Sequence, residues 1–213
     1  MGNDSVSVAS KIYIFINYRV RSIRISHVYL LLTLPLIILI SELFLGKLGV
    51  DPMRRIEETL GITALNLLIV TLVLAPLSKL TAINFIRLRR SIGLMSFFYI
   101  CLHLLTWLML DMQLRWSEIL ISIAKKPFIL LGMISFILLL PLAITSNNYL
   151  TKKLGSLWSK IHRIIYPAII LAGIHYLMMA KTIELDAVIY LIIILLLISL
   201  RLVKLKKITW LQK

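Results

Sequence analysis

Six predominantly apolar blocks, each 17 to 20 residues long, divide this sequence, and most charged residues stand between or at the edges of them. An α-helix rises about 1.5 Å per residue, so roughly 17–25 apolar residues cross the hydrocarbon core of a bilayer. The blocks run His27–Leu45, Ile62–Leu80, Ile92–Leu110, Phe128–Thr145, Ile161–Ala180 and Ala187–Val203. Their apolar residues are contiguous rather than alternating, which excludes a transmembrane β-barrel. Composition agrees: 60 % of the 213 residues are hydrophobic and 15 % charged, against roughly 45–50 % and about 25 % in soluble domains. An ordinary soluble enzyme, a disordered chain and a disulfide scaffold are all excluded. The expected fold is an all-α integral membrane protein, a bundle of six transmembrane helices.

The net charge of +15 does not point to nucleic acid, because the basic residues are sorted between the blocks. Lys11, Arg19, Arg21 and Arg24 precede the first; Lys79, Arg87, Arg89 and Arg90 join the second and third; Lys152, Lys153, Lys160 and Arg163 join the fourth and fifth; Arg201, Lys204, Lys206, Lys207 and Lys213 follow the last. That puts 17 of 24 basic residues on one side, and Lys47, Arg54, Arg55, Arg115, Lys125, Lys126 and Lys181 on the other. The basic-rich side is expected to be cytoplasmic, with both termini there. Eight of the nine acids, all but Asp4, fall on the opposite side. The apolar piece Ile12–Ile16 lies before Arg19, Arg21 and Arg24, with no small-residue cleavage site after it, so no signal peptide is expected and the first block stays as a helix. The resulting division is a cytoplasmic segment 1–26, a transmembrane domain 27–203 and a basic tail 204–213. The connections are too short for a soluble catalytic domain, so chemistry belongs in the bundle or in a partner.

Ionisable groups inside a span are costly and mark function. His103 lies eleven residues beyond Ile92, and His175 fourteen beyond Ile161. Both helices run from inside to outside, so the two rings sit at similar depth in the outer half, on different helices. His162 starts span five, roughly 20 Å below His175, and His27 opens span one at the same inner edge. Two neutral imidazoles on facing helices at one depth suit the two axial positions of a haem iron in an apolar slot. With both positions filled, such a haem carries electrons and activates no ligand. The plainer reading is a histidine hydrogen-bonded to a neighbouring backbone. Zinc lacks a carboxylate or cysteine at ligand spacing, and the lone Cys101 reads as a small apolar filler. The spans hold almost no acid for a proton relay; Glu42 lies near an outer end.

Structural readings cover the rest. Asp51-Pro52 starts a short outer helix before span two. Pro35, Pro76, Pro141 and Pro167 mark kinks, Asn66 can bridge helices, and Met178-Met179 pack. Trp107, Trp116, Trp158 and Tyr176 fit interfacial aromatic belts.

Several stretches together carry a resemblance: Leu48–Pro52, Gly61–Asn66, Ile86–Leu94, Leu102–Leu104, Lys125–Ser135, Lys153–Tyr166 and Ile174–Leu177. Across roughly residues 45–205 the chain resembles the MsrQ (YedZ) family of bacterial inner-membrane haem subunits, within the ferric-reductase-like transmembrane group. The resemblance implies haem b, one or two per chain, and admits FMN. It implies electrons drawn from the quinol pool or a cytosolic flavin reductase. They would pass to a periplasmic molybdopterin-containing MsrP-like subunit that repairs methionine sulfoxide. His103, His162 and His175 fall on the family's haem histidines, His27 less securely.

The oxidase cousins carry a second histidine on span three, where this chain has Arg89-Arg90. Arginine stays protonated and cannot ligate iron, but it can pair with a haem propionate or a flavin phosphate. His162 and His175 are thirteen residues apart, about 220° around a helix, so they leave different faces unless Pro167 alters the winding. The inner cofactor is then a haem on His162 with His27 as second ligand, a five-coordinate haem, or a flavin held by Arg89 and Arg90. Two other functions stay open: a self-standing ferric reductase or oxidase-like cytochrome b, and a small non-redox transporter. The first is disfavoured by the lack of a glycine-rich phosphate loop, the second by the lack of polar groups at the midplane.

The charge asymmetry makes a direct prediction. A reporter fused after Lys213 is active only if it works in the cytoplasm; activity of a periplasm-only reporter there contradicts the topology.

Overall fold

The computed structural model describes residues 15–20, 22–81, 83–179 and 184–210, with backbone alone at 86 and 202–210. Lys11, Arg21, Lys181, Lys213, most of Ile12–Ile16 and the expected end of span five at Ala180 lie outside the described residues, as do the side chains of Lys204, Lys206 and Lys207. Everything regular is helical, and no strand occurs among the described residues.

Among the described residues the fold is carried by the α-helices α1 Ile25–Phe44, α2 Pro52–Thr81, α3 Ile86–Thr106, α4 Trp116–Lys125, α5 Pro127–Ile144, α6 Asn148–Leu154, α7 Ser156–Ile161, α8 Ile165–Met179 and α9 Leu185–Trp210. A π-helical turn, Trp107–Asp111, extends α3, and a 3-10 turn, His162–Ile164, joins α7 to α8. Among the described residues, five helical stretches are long and apolar enough to cross a membrane: α1, α2, α3 with its π turn, α5, and α7 through α8. The sixth apolar block forms α9. Leu30, Ile37, Ile137 and Ile192 are more than half exposed, which suits side chains bathed in lipid.

One expectation is corrected. The outer helix started by Asp51-Pro52 is not a separate element; it continues into span two as the single 30-residue α2. The cap itself is present, the Arg54 N–H donating to Asp51 Oδ1 at 3.1 Å. Nothing between Pro52 and Ile62 breaks a helix, and the pair Arg54–Glu58, 2.6 Å apart one turn along, supports its polar start. At about 1.5 Å per residue α2 is longer than the hydrocarbon core, so its first turns extend beyond it.

The bundle consists of two tightly packed pairs, α2 against α3 and α5 against α8. The pairs meet through α3–α5 and α2–α8, while α1 lies on α3 and α2, and α9 on α8 and α2. Lipid is as apolar as leucine, so close packing and hydrogen bonds, rather than water exclusion, hold such helices together. Ser96 on α3 donates to the Ala64 carbonyl of α2 at 2.8 Å, and Ser135 on α5 to the Ala168 carbonyl of α8 at 2.9 Å. Asn66 does bridge helices, accepting from the Tyr190 hydroxyl at 2.8 Å. Gly173 lets α9 approach α8: a Cβ there would stand 2.9 Å from Ile194.

Pro35 explains how α1 is seated. It has no N–H and strains the turn around it. The hydroxyl of Tyr99, a fully buried side chain of α3, enters that turn. It donates to the Leu32 carbonyl at 2.8 Å and accepts from the Leu36 N–H at 3.2 Å. Tyr99→Phe leaves both groups short of a partner in an apolar setting. It is expected to cost about 1–3 kcal/mol, read as a lower unfolding temperature in detergent; an unchanged temperature argues against this seat.

Candidate functional site

His103, near the end of α3, and His175, on α8, share one construction. The Nδ1–H of His103 donates to the Glu57 carbonyl of α2 at 3.0 Å, and that of His175 to the Phe128 carbonyl of α5 at 2.7 Å. A carbonyl can only accept, so each Nδ1 carries the proton and each Nε2 keeps its lone pair. Four residues after each carbonyl, one turn along the helix, stands a glycine. A Cβ on Gly61 would lie 3.3 Å from the His103 ring, and one on Gly132 would lie 3.0 Å from the His175 ring. Glycine thus opens the groove through which each imidazole reaches a backbone oxygen. Each bond also lies within a helix pair: α3 to α2, and α8 to α5.

The two rings then face each other between the pairs. Their centroids are 6.3 Å apart and their planes 75° apart. They line a cavity of about 530 Å³ with Phe128, Phe136, Trp107 and Tyr176 among its walls, and with Arg54, Lys126, Glu57 and Asp111 also around it. The haem expected from the sequence can be tested on this geometry. A metal–imidazole nitrogen bond of about 2 Å, with about 1.1 Å more to each ring centre, separates two trans imidazoles by about 6.2 Å. The observed separation matches, the protonated nitrogens are already engaged, and the walls are mostly apolar with charged residues among them. The residues fit the group. Among the described residues no cluster of three or more His, Cys, Asp or Glu could hold a bare metal ion.

The remaining candidates are scattered over the basic-rich end. His162 is half-buried in the 3-10 turn, stacked on Trp158 with centroids 3.8 Å apart. Its Nδ1–H donates to the Trp158 carbonyl at 3.1 Å, and its Nε2 lies 3.5 Å from the Ser146 hydroxyl. His27 is exposed at the start of α1, and no hydrogen bond or ring contact joins it to His162 among the described residues. Arg89 is half-buried, within electrostatic reach of Arg201, Tyr166 and His162. Arg90 is exposed, donates to Asn148 Oδ1 at 2.6 Å, and lines a smaller recess with Arg87, Ser91, Ile25 and Tyr29. The two arginines therefore serve different surroundings. The aromatic belt is also redistributed: Trp107 and Tyr176 line the cavity, Trp158 stacks on His162, and Trp116 is exposed.

Comparison with known proteins is decisive about family. The model of the ferric reductase like transmembrane component matches residues 60–173. The chain belongs to that family. The match takes in Gly61, His103, Gly132 and His162 and stops two residues before His175. The protein-methionine-sulfoxide reductase heme-binding subunit MsrQ of Brucella anthropi is 45 % identical over 145 residues, 68 % of this chain and 66 % of the relative. Its counterparts in Brucella ovis and Brucella canis show the same identity over the same shares. No solved structure is significantly similar to the chain.

Within this ferric reductase-like bundle, the sequence alone missed the residues that hold the imidazoles. Glu57 and Phe128 act through backbone oxygens, which no side-chain pattern reveals. Gly61 and Gly132 did leave a signal, as isolated glycines inside apolar helices, where glycine is otherwise unfavourable. Gly132→Ala pushes a methyl against the His175 ring. It is expected to lower haem retention about 10-fold, the scale of losing a group that orients a metal ligand. Gly61→Ala has a smaller effect. Pyridine-hemochrome content per protein measures both, and full retention in Gly132→Ala contradicts the bracing.

Proposed function

We propose that this chain is a haem b transmembrane electron-transfer subunit of a methionine-sulfoxide repair system. It takes electrons from the quinol pool or a cytosolic flavin reductase and delivers them to a periplasmic molybdopterin-containing, MsrP-like subunit. The observation that carries the reading is the pair of imidazoles, His103 and His175, each with Nδ1 tied to a carbonyl and Nε2 left for iron across one cavity. The MsrQ relatives, named as heme-binding subunits of a protein-methionine-sulfoxide reductase, support both the cofactor and the system.

In this reading a bound haem supplies a one-electron carrier, and the protein supplies its setting. Glu57 and Phe128 keep the ligand nitrogens unprotonated and fixed in direction. Gly61 and Gly132 hold the rings at their depth, between mostly apolar walls. His103 and His175 would both hold the haem iron, leaving it no place for oxygen or substrate, which suits a carrier whose partner does the catalysis. His162, beside Arg89, is the preferred ligand of a second, inner haem, with FMN as a further cofactor of that end. The same reading makes α9 the sixth span, puts both termini in the cytoplasm of an inner-membrane protein, and retains the division 1–26, 27–203 and 204–213. A self-standing ferric reductase-like cytochrome is the second reading, favoured by the family description.

Absorption and haem content of three variants test the reading. His103→Ala and His175→Ala are each expected to abolish the same low-spin haem signal, whereas Cys101→Ala keeps it. A full bis-histidine spectrum in either histidine variant overturns the pairing. His162→Ala is expected to slow reduction by quinol or flavin reductase while the outer signal persists; normal kinetics and cofactor content remove His162 from the path.

A further inference from the structure

The cavity between His103 and His175 has two unlike ends. Towards the basic-rich half its walls are Leu65, Leu68, Ile100, Phe136 and Ala172. The hydroxyl of Ser135, which also lies there, is spent on the Ala168 carbonyl. At the opposite end, where α2 and α5 begin and α3 with its π turn finishes, the lining is charged. It carries the cations Arg54 and Lys126 and the acids Glu57, Glu58, Asp111 and Glu184. Apart from the two histidines, every ionisable group of the lining sits at this acid-rich mouth, tyrosine excepted.

The two cations repeat the construction of the rings. On α2, Arg54 stands three residues before Glu57, whose carbonyl holds His103. Lys126, the residue before α5, stands two before Phe128, whose carbonyl holds His175. Each helix pair therefore brings one imidazole and, just beyond its brace, one cation. Arg54 spends Nε on Glu58 at 2.6 Å, and its two Nη groups have no hydrogen-bond partner among the described residues. Lys126 is exposed, and among the described residues the ion pairs, Arg54–Glu58 and Arg115–Glu118, do not include it. Donors for an anion thus stand on both sides of the mouth.

We propose that Arg54 and Lys126 bind the two carboxylates of the haem and so decide which way round it enters. The inference rests on the haem reading of His103 and His175 and adds a direction to it. Haem b carries both propionates on one edge and only hydrocarbon on the opposite edge. Carboxylates are ionised at neutral pH, and an ionised group buried without a partner is the costly case. The basic-rich end of the cavity offers neither a cation nor a spare donor, so it takes the hydrocarbon edge. The mouth offers solvent and both cations, with charge-assisted hydrogen bonds to carboxylate oxygens. The acids around the mouth make the cations necessary, because without them the propionates meet only like charge. Lys126 carries the larger share, since Glu58 already neutralises part of Arg54.

The test uses the full chain, purified without haem in detergent and titrated with ferric protohaem or with its dimethyl ester, in which both carboxylates are blocked. The low-spin absorption band follows binding of each. The quantity read is the ratio of the two affinities, because partition of the more apolar ester into detergent is common to every variant. Lys126→Gln is expected to lower the ratio about 3-fold or more, Arg54→Gln less, and the double variant most. Lys126→Arg, which keeps the cation, retains it. An unchanged ratio in the double variant, with the low-spin band intact, overturns the orientation and leaves the haem reading standing. Absence of that band with either porphyrin in the wild type overturns both. A second measurement needs no variant: added salt weakens binding of protohaem but not of the ester, and an equal response of the two overturns the proposal.

Discussion

The hydrogen bond from an imidazole Nδ1 to a main-chain carbonyl of the neighbouring helix is the interaction on which the centre of this protein depends. It is made twice, by His103 on Glu57 and by His175 on Phe128, and each time it decides three things at once. It fixes the tautomer, because a carbonyl can only accept. It fixes the direction of the remaining nitrogen. It also fixes the distance between two helices, because the ring must pass the glycine one turn further on. A carboxylate partner would add a charge in an apolar region, at a cost that a backbone oxygen avoids. The bonding capacity of the helix itself thus becomes the support of each ring, with no side chain holding Nδ1.

Five of the six expected spans were legible because long apolar helices are what lipid accepts. The matched depth of His103 and His175 was legible too, since two counts from helix starts suffice. The braces at Glu57 and Phe128 were not, because they need the pairing of helices and the facing sides, which contiguous apolar blocks conceal. The reach of α2 back to Pro52 was hidden for a related reason: polar first turns look like a connection when only apolar length is counted. Arg201 shows the limit most clearly. In a count of charges it goes with the basic residues that follow the last span, yet its side chain turns inward to Leu72 and Tyr166. Charge counting reports which side a residue is on, not the way it points.

The basic-rich end is organised on other lines. His162 has both ring nitrogens near oxygen atoms and one face against Trp158, while His27 and Arg90 look outward. The two ends therefore differ in kind: a mostly apolar slot between two rings at one, a cationic surround at the other.

Because each imidazole is tethered within its own helix pair, neither half of the slot waits on the other for its shape. The hairpin of α2 and α3 contains the whole brace of its own ring, Glu57, Gly61 and His103, and precedes α5 and α8 in the chain. The second hairpin arrives with its own. Assembly then becomes a matter of closing two prepared faces, and a planar guest can be clasped as they meet rather than threaded into a completed bundle.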